Sequence, residues 1–201
     1  MKLYNLSAGL NPRRVRIFLA EKGVELPLVE VDMTKHENAT PDYLAKNPMG
    51  KMPVLELDDG TYISESTAIC RYIEALHPEP NLFGNDPLEA ARIEMWDRRM
   101  ELDMVVPVMH AFQHGSPFWE GRLTQIKDYS EAASETIRKN MAWLDEELAG
   151  RDYVAGDRYT IADITLQCSL IIAKAIGVRF DDHANLTEWF GRVTSRPTAR
   201  A

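Results

Sequence analysis

The run His77-Pro78-Glu79-Pro80-Asn81-Leu82-Phe83-Gly84-Asn85-Asp86-Pro87 constrains this chain more than any other segment. Its prolines fix φ and remove backbone donors, and its glycine and asparagines favour turns, so it reads as a linker. Before it, strand and helix signals alternate; after it, strand signals nearly vanish. With 201 residues in all, the chain divides into two domains, 1–78 and 87–201, with enough sequence to bury a substantial core.

In the first domain Lys2–Leu6 alternates as a short strand, and Asn11-Pro12 opens a helix that Gly23 ends, with Asn11 at the N-cap and Pro12 at the first helical position. Leu26–Val31 is a second strand, and Thr40-Pro41 starts a short helix to Lys46. Pro53–Leu57 and Thr61–Ile63 form a hairpin about Asp58-Asp59-Gly60, and Ser64 or Glu65 opens a helix to about His77. This βαβαββα order predicts an α/β domain, a small mixed sheet with helices on its faces. In the second domain Asp86-Pro87 caps a long helix to about Gln113, with a kink expected at Pro107. Gly115-Ser116-Pro117 interrupts the pattern; further helices are expected over about 123–148, 160–177 and 186–194, giving an all-α helical bundle. Thr160 and Asp163 have capping-box spacing at the start of the third.

The net charge of −8 argues against nucleic acid as main partner, since phosphate binding needs a basic surface. No apolar run approaches the ~20 residues of a membrane span, and Met1–Leu6 is too short an apolar run for a signal peptide, so a cytoplasmic protein is expected. Cys70 and Cys168 sit in apolar helical patterns and read as buried thiols. The histidines and cysteines form no cluster with ligand spacing, so no metal is implied. Arg13, Arg14 and Arg16 stand out; they read first as a solvated face paired with acids, and otherwise as a positive field attracting an anion.

The chemistry concentrates in Asn47-Pro48-Met49-Gly50-Lys51-Met52-Pro53-Val54-Leu55-Glu56-Leu57 and in Ser64-Glu65-Ser66. Pro53 suits a strand entrance, and a cis bond before it would leave the N–H and C=O of Met52 free to pair with an extended peptide. Glu65 and Ser66 fall at a helix N-terminus, where open N–H groups and the helix dipole favour a carboxylate. A strand edge beside an anion site suits a small acidic peptide. Together with Thr160-x-x-Asp163, these elements resemble the glutathione transferase family over nearly the whole chain. The resemblance implies a thioredoxin-like first domain, an all-helical second domain, a two-fold homodimer and a role in detoxification. It also assigns glutathione as co-substrate. Glu65 would hold its α-amino group, Ser66 its γ-glutamyl carboxylate, Met52 (before a cis Pro53) the backbone of its cysteinyl unit, and Lys51 and His36 its glycine carboxylate.

A thiol of pKa about 8.5 is little ionised at neutral pH, and lowering that value by about two units requires roughly 2.7 kcal/mol of anion stabilisation. One hydrogen bond to a charged group supplies about 1.5–3 kcal/mol. The family places such a donor after the first strand, here Ser7-Ala8-Gly9-Leu10-Asn11. Ser7 and Asn11 are the two candidates, each with an ordinary alternative as loop hydroxyl or helix cap. Tyr4 lies too early, within the strand, and the Ser-Ser-Cys run of the maleylacetoacetate isomerase class is missing. Met104, Val105, Val108, Met109, Phe112 and Trp119 are the expected walls of a pocket for a small hydrophobic electrophile, although residues at such spacing commonly form core. The resemblance implies conjugation of the glutathione thiolate to that electrophile. Glutathione-dependent disulfide or peroxide reduction, and a non-catalytic binding or regulatory protein on the same fold, are the alternatives.

Overall fold

The computed structural model describes every residue from Met1 to Ala201. They fall into two units, Met1–Asn81 with Arg200–Ala201, and Leu82–Ala199, so the division lies inside the proline-rich run.

The first unit contains β1 (Lys2–Asn5), α1 (Leu10–Glu21), β2 (Leu28–Glu30), α2 (Pro41–Leu44), β3 (Val54–Glu56), β4 (Tyr62–Ser64) and α3 (Ser66–Leu76). This is the expected order, on a thioredoxin-like mixed sheet arranged β2-β1-β3-β4. β1 runs parallel to β2 and antiparallel to β3, which is antiparallel to β4. Tyr4 pairs with Val54, and Val54 with Ser64. The ends of β1, β2 and β4 therefore meet the start of β3 along one edge, and every loop leaving that edge can contribute to one site. Leu3, Val15, Ile17, Phe18, Leu55, Ile69 and Ile73 are buried in this unit's core.

One helix start differs from expectation. The N-cap of α1 is Gly9, not Asn11, and Pro12 sits in the first turn one place beyond Asn11. The first four N–H groups of a helix have no internal partner, so the donor Pro12 lacks is not missed there. Space at the cap is tight: a Cβ on Gly9 would lie 3.0 Å from the Pro12 ring and 3.1 Å from the Leu6 carbonyl oxygen.

The second unit holds α4 (Pro87–Arg99), a π-helical stretch Met100–Val105, α5 (Val106–Gly115), α6 (Lys127–Glu147), α7 (Ile161–Ala175) and α8 (Ala184–Thr194). The helix expected through Gln113 thus passes through a π turn where a kink at Pro107 was expected. Pro107 has no N–H for the Asp103 carbonyl four residues earlier. Asn140 of α6 donates its Nδ2–H to that oxygen at 2.6 Å. α7 is capped as its sequence predicts: Thr160 donates its N–H (2.9 Å) and hydroxyl (3.1 Å) to Asp163 Oδ2. Asp163 Oδ1 accepts from Val154 N and Trp189 Nε1, each at 2.9 Å. That wholly buried carboxylate ties together the loop before α7, α7 itself and α8. No helix is long and apolar enough to cross a membrane.

Candidate active site

Four chain segments converge on the common edge of the sheet in the first unit. The first is the start of β3. Met52-Pro53 is a cis peptide, and the N–H and C=O of Met52 make no hydrogen bond within the chain. Its side chain packs on the buried Tyr4, Val31, Tyr43 and Val54 cluster. The preceding turn is held from beneath, because the Lys51 carbonyl accepts from Tyr43 Oη (2.9 Å) and Asn47 Nδ2 (2.8 Å). Burial, with the neighbouring Tyr4, pushes the Tyr43 hydroxyl up to about 12, so it stays a donor. Fixed in this way, Met52 offers one donor and one acceptor as an open strand edge does.

The second segment is the β4–α3 junction. The β3/β4 ladder ends at Val54↔Ser64, so Met52-Pro53 leads into it on one strand and Glu65-Ser66 leaves it on the other. Glu65 has φ 68° and ψ 116°, a conformation that costs a non-glycine residue on the order of 1–3 kcal/mol and that clusters at functional sites. Its exposed carboxylate makes no capping bond. Ser66 is buried at the first position of α3, and its Oγ lies 2.6 Å from Arg14 Nη1. The first backbone N–H that α3 satisfies internally is that of Ile69, bonded to the Glu65 carbonyl, which leaves the preceding N–H groups open.

The third segment is the loop from β1 into α1, and it separates the two thiol candidates. Ser7 donates its hydroxyl to Glu30 Oε1 (2.9 Å) and its N–H to Glu30 Oε2 (3.1 Å). Asn5 Nδ2 donates to the same carboxylate, and Arg16 braces the loop through Asn5 Oδ1 (2.6 Å) and the Ser7 carbonyl (2.9 Å). Partial burial raises the Glu30 carboxyl, but the hydrogen bonds from Asn5 and Ser7 and the Arg16 charge outweigh it and hold it below its ordinary range. The Ser7 proton is therefore committed to an ionised partner. Asn11 stands in the first turn of α1, half-buried, and its amide makes no hydrogen bond within the chain. Three residues on, Arg14 occupies the same helical face and reaches Ser66. Tyr4, set aside in the sequence, donates to Glu56 Oε2 at 2.8 Å.

The fourth segment carries His36 and Lys51. His36 is exposed, in the left-handed region (φ 57°) between two 3-10 turns. Asn38 ties its loop to the β3 approach by donating Nδ2–H to the Gly50 carbonyl at 3.0 Å. Gly50 has φ +60°, and a Cβ there would lie 2.9 Å from the Asn38 carbonyl oxygen. His36 and Lys51 thus flank one stitched pair of loops, with the exposed Lys51 ammonium in no ion pair.

The arginines correct the sequence analysis. Arg14 is 1% exposed and belongs to no solvated face, and Arg16 is a brace for the β1–α1 loop. Composition gave no sign of this, because a basic triplet on an early helical turn carries no mark of which member points inward.

The pocket expected in the second unit is also revised. Met104 and Val108 are fully buried and Val105 is 5% exposed, so these three serve as packing and offer no surface to a ligand. Met109, Phe112 and Trp119 are half-buried. Phe112, Phe118 and Trp119 form an aromatic group with centroids 5.2–6.1 Å apart.

Residues 10–76 match the family model of the glutathione S-transferase N-terminal domain, and residues 95–197 that of the C-terminal domain. Glutathione S-transferase 2 of Saccharomyces cerevisiae is 40% identical over 100% of this chain and 88% of its own length. The crystal structure of Gtt2 from the same yeast superposes with a TM-score of 0.94 at 40% identity, covering 100% of this chain and 99% of the other. Maleylacetoacetate isomerase of Pseudomonas aeruginosa is 30% identical over 90% of this chain and 85% of its own. A glutathione transferase homologue from sulfitobacter, solved with bound glutathione, gives a TM-score of 0.84 at 25% identity over 98% and 94% of the two chains.

Proposed function

Because the chain belongs to the glutathione S-transferase family, we propose that it binds reduced glutathione on the open edge of its first unit and directs the thiolate at a small hydrophobic electrophile. The observation that carries this reading is the unpartnered N–H and C=O of Met52, two residues before the last β3/β4 pair Val54↔Ser64, with the open start of α3 following Ser64 on the other strand. A γ-glutamyl tripeptide presents complementary groups in matching order. Its cysteinyl backbone pairs with Met52 before the cis Pro53, its γ-glutamyl carboxylate meets Ser66 and the α3 N-terminus, and its amino group meets Glu65. Its glycine carboxylate lies toward Lys51 and His36.

Asn11 supplies the thiol donor in this reading, since the Ser7 hydroxyl is engaged by Glu30. An amide at the start of a helix adds one hydrogen bond and the dipole to the anion. The rate gain comes from thiolate activation and proximity, as in other nucleophilic enzymes. Met109, Phe112 and Trp119 furnish apolar surface for the electrophile. Cys70 and Cys168 are buried and in no disulfide, which suits a reducing, cytoplasmic setting, and a second copy of the chain completes a homodimer. Conjugation of this kind serves detoxification.

One further reading shares the same premise, reduction of disulfides or peroxides by the same thiolate. Calorimetry with glutathione, combined with ultraviolet titration of the bound thiol, tests the common premise. Binding in the micromolar to low-millimolar range with a thiol pKa below its free value is expected; no binding would leave only the fold. Turnover of a chloronitroaromatic against turnover of a mixed disulfide then separates conjugation from reduction.

A further inference from the structure

We propose that His114 is a pH-sensitive latch between the end of α5 and the start of α6: its neutral ring holds the backbone N–H of Ile126, and protonation lets that group go. The proposal stands apart from the glutathione reading, since it uses no ligand and only residues of the second unit.

Ile126 is the N-cap of α6 and makes no side-chain capping bond. Its N–H, with the nitrogen 3.2 Å from His114 Nδ1, can only donate, so Nδ1 is the acceptor and the neutral ring carries its proton on Nε2. A second proton on this imidazole must go to Nδ1 itself. Two N–H groups then face each other, and the bond is lost. The neighbouring histidine behaves differently. Tyr129 Oη lies 2.9 Å from His110 Nδ1, and a hydroxyl accepts as well as donates, so that bond persists in either charge state. Of the two histidines one turn apart on α5, only His114 loses its partner on protonation.

The latch is one of two ties that close the loop 116–126. The other is Gln125, whose Nε2 donates to the carbonyls of Gln113 and Ser116, each at 2.8 Å, and which does not titrate. With His114 protonated, Gln125 holds the loop alone. Phe118 and Trp119 ride on this loop, and Trp119 belongs to the apolar surface proposed above for the electrophile. The helices themselves stay together: Ser130 of α6 donates its hydroxyl to the Ala111 carbonyl of α5 at 2.9 Å. The titratable groups against His114 are Tyr129, edge-on with ring centroids 5.1 Å apart, and His110. The charged residues of the adjoining segments are Glu120 and Arg122 in the loop and Lys127 and Asp128 at the start of α6, all exposed. The C-terminus of α5 favours a cation at His114 and the N-terminus of α6 opposes it, so the Ile126 bond sets the sign. The latch is closed at high pH and opens as pH falls through the range in which histidines titrate, about pH 8 to 5.

The test is NMR on the full chain across that pH range. At its upper end the His114 ring is expected to show a bare Nδ1 and a protonated Nε2. As His114 titrates, the Ile126 amide should shift with the same midpoint. After correction for intrinsic exchange, that amide should lose protection about two- to tenfold, the fold-change of one ordinary hydrogen bond. The Trp119 and Arg122 amides, bonded within the loop, should lose protection with it. His114→Asn, whose side-chain oxygen accepts at every pH, should keep Ile126 protected and flatten the response, whereas His110→Asn should leave the response in place. A proton on Nδ1 at the upper end, an Ile126 amide that ignores the His114 midpoint, or a response that survives in His114→Asn would overturn the latch. So would a loss of protection confined to Ile126, because the loop would then not be released. If His114→Asn does not fold, the ring and amide titrations of the wild type decide alone.

Discussion

At the scale of single residues, the side chain that has no partner matters more than the side chain of the expected type. Ser7 and Asn11 are equal candidates in the sequence, and the difference between them is a bond to Glu30, 23 residues away, that no local pattern announces. Asn11→Ala is accordingly expected to raise the pKa of bound glutathione by a unit or more, whereas Ser7→Ala leaves it within a few tenths. Ultraviolet titration of the bound thiolate reads both, and a reversed outcome would return Asn11 to a plain first-turn residue. Lys51 and His36 make a separate prediction. If they receive the glycine carboxylate, replacing either by alanine weakens glutathione about 1.5- to fivefold, the range of an exposed charge contact, and leaves γ-glutamylcysteine, which has no glycine, unaffected. Equal losses for both peptides would remove them from the site. The strand entrance at Pro53 and the helix start at Glu65-Ser66 were legible because both follow from local rules for proline and helix starts. The burial of Arg14 was not, because it depends on which face of α1 meets α3.

At the scale of elements, strands and helices emerged where periodicity and breakers agreed, and ends moved where tertiary contacts decided. β2 shortens to Leu28–Glu30, and the helix expected from about 123 begins at Lys127. The π turn at Met100–Val105 was illegible because its compensating partner, Asn140, comes from another helix. The start of α7 was legible, since Thr160 and Asp163 bond within one turn. That carboxylate also makes a pH prediction. Complete burial raises Asp163 to about 6, against the pull of donors from Val154, Trp189 and Thr160. An acid whose folded pKa lies above its unfolded value of about 3.9 binds more protons in the native state between the two. Its contribution to stability is therefore full below about pH 4 and fades, by about 3 kcal/mol, as pH rises to about 6. Glu30, held low, has the opposite sign and withdraws stability on acidification. The Trp189 indole N–H, 2.9 Å from Asp163 Oδ1, reports this titration directly by NMR. A midpoint near 6 is expected; one near or below 4 would mean that the donors outweigh burial.

At the scale of the whole molecule, a net charge of −8 must coexist with an anionic ligand and, in the proposed homodimer, with a second copy of equal charge. In the proposed reading the first is met locally, by Lys51 and the α3 N-terminus. The second sets how assembly should depend on salt. Leu88, Met95, Leu102 and Val106 are 61, 41, 52 and 37% exposed along α4, the π turn and the start of α5. Isolated exposed apolar residues are ordinary, but a row along one continuous helical run gives a partner something to cover. Burial of that row favours association, while repulsion between two acidic copies opposes it and is screened as the Debye length shrinks from about 30 Å at 0.01 M to about 8 Å at 0.15 M. Light scattering should therefore give about twice the 22.9 kDa chain mass at micromolar concentration in 0.15 M salt, with weaker association at 0.01 M. Leu102→Glu, which adds charge and removes apolar surface, should shift the population toward monomer and steepen the salt dependence. A monomer under all these conditions would remove the dimer from the proposal. A dimer that Leu102→Glu leaves unchanged would place the interface on another surface.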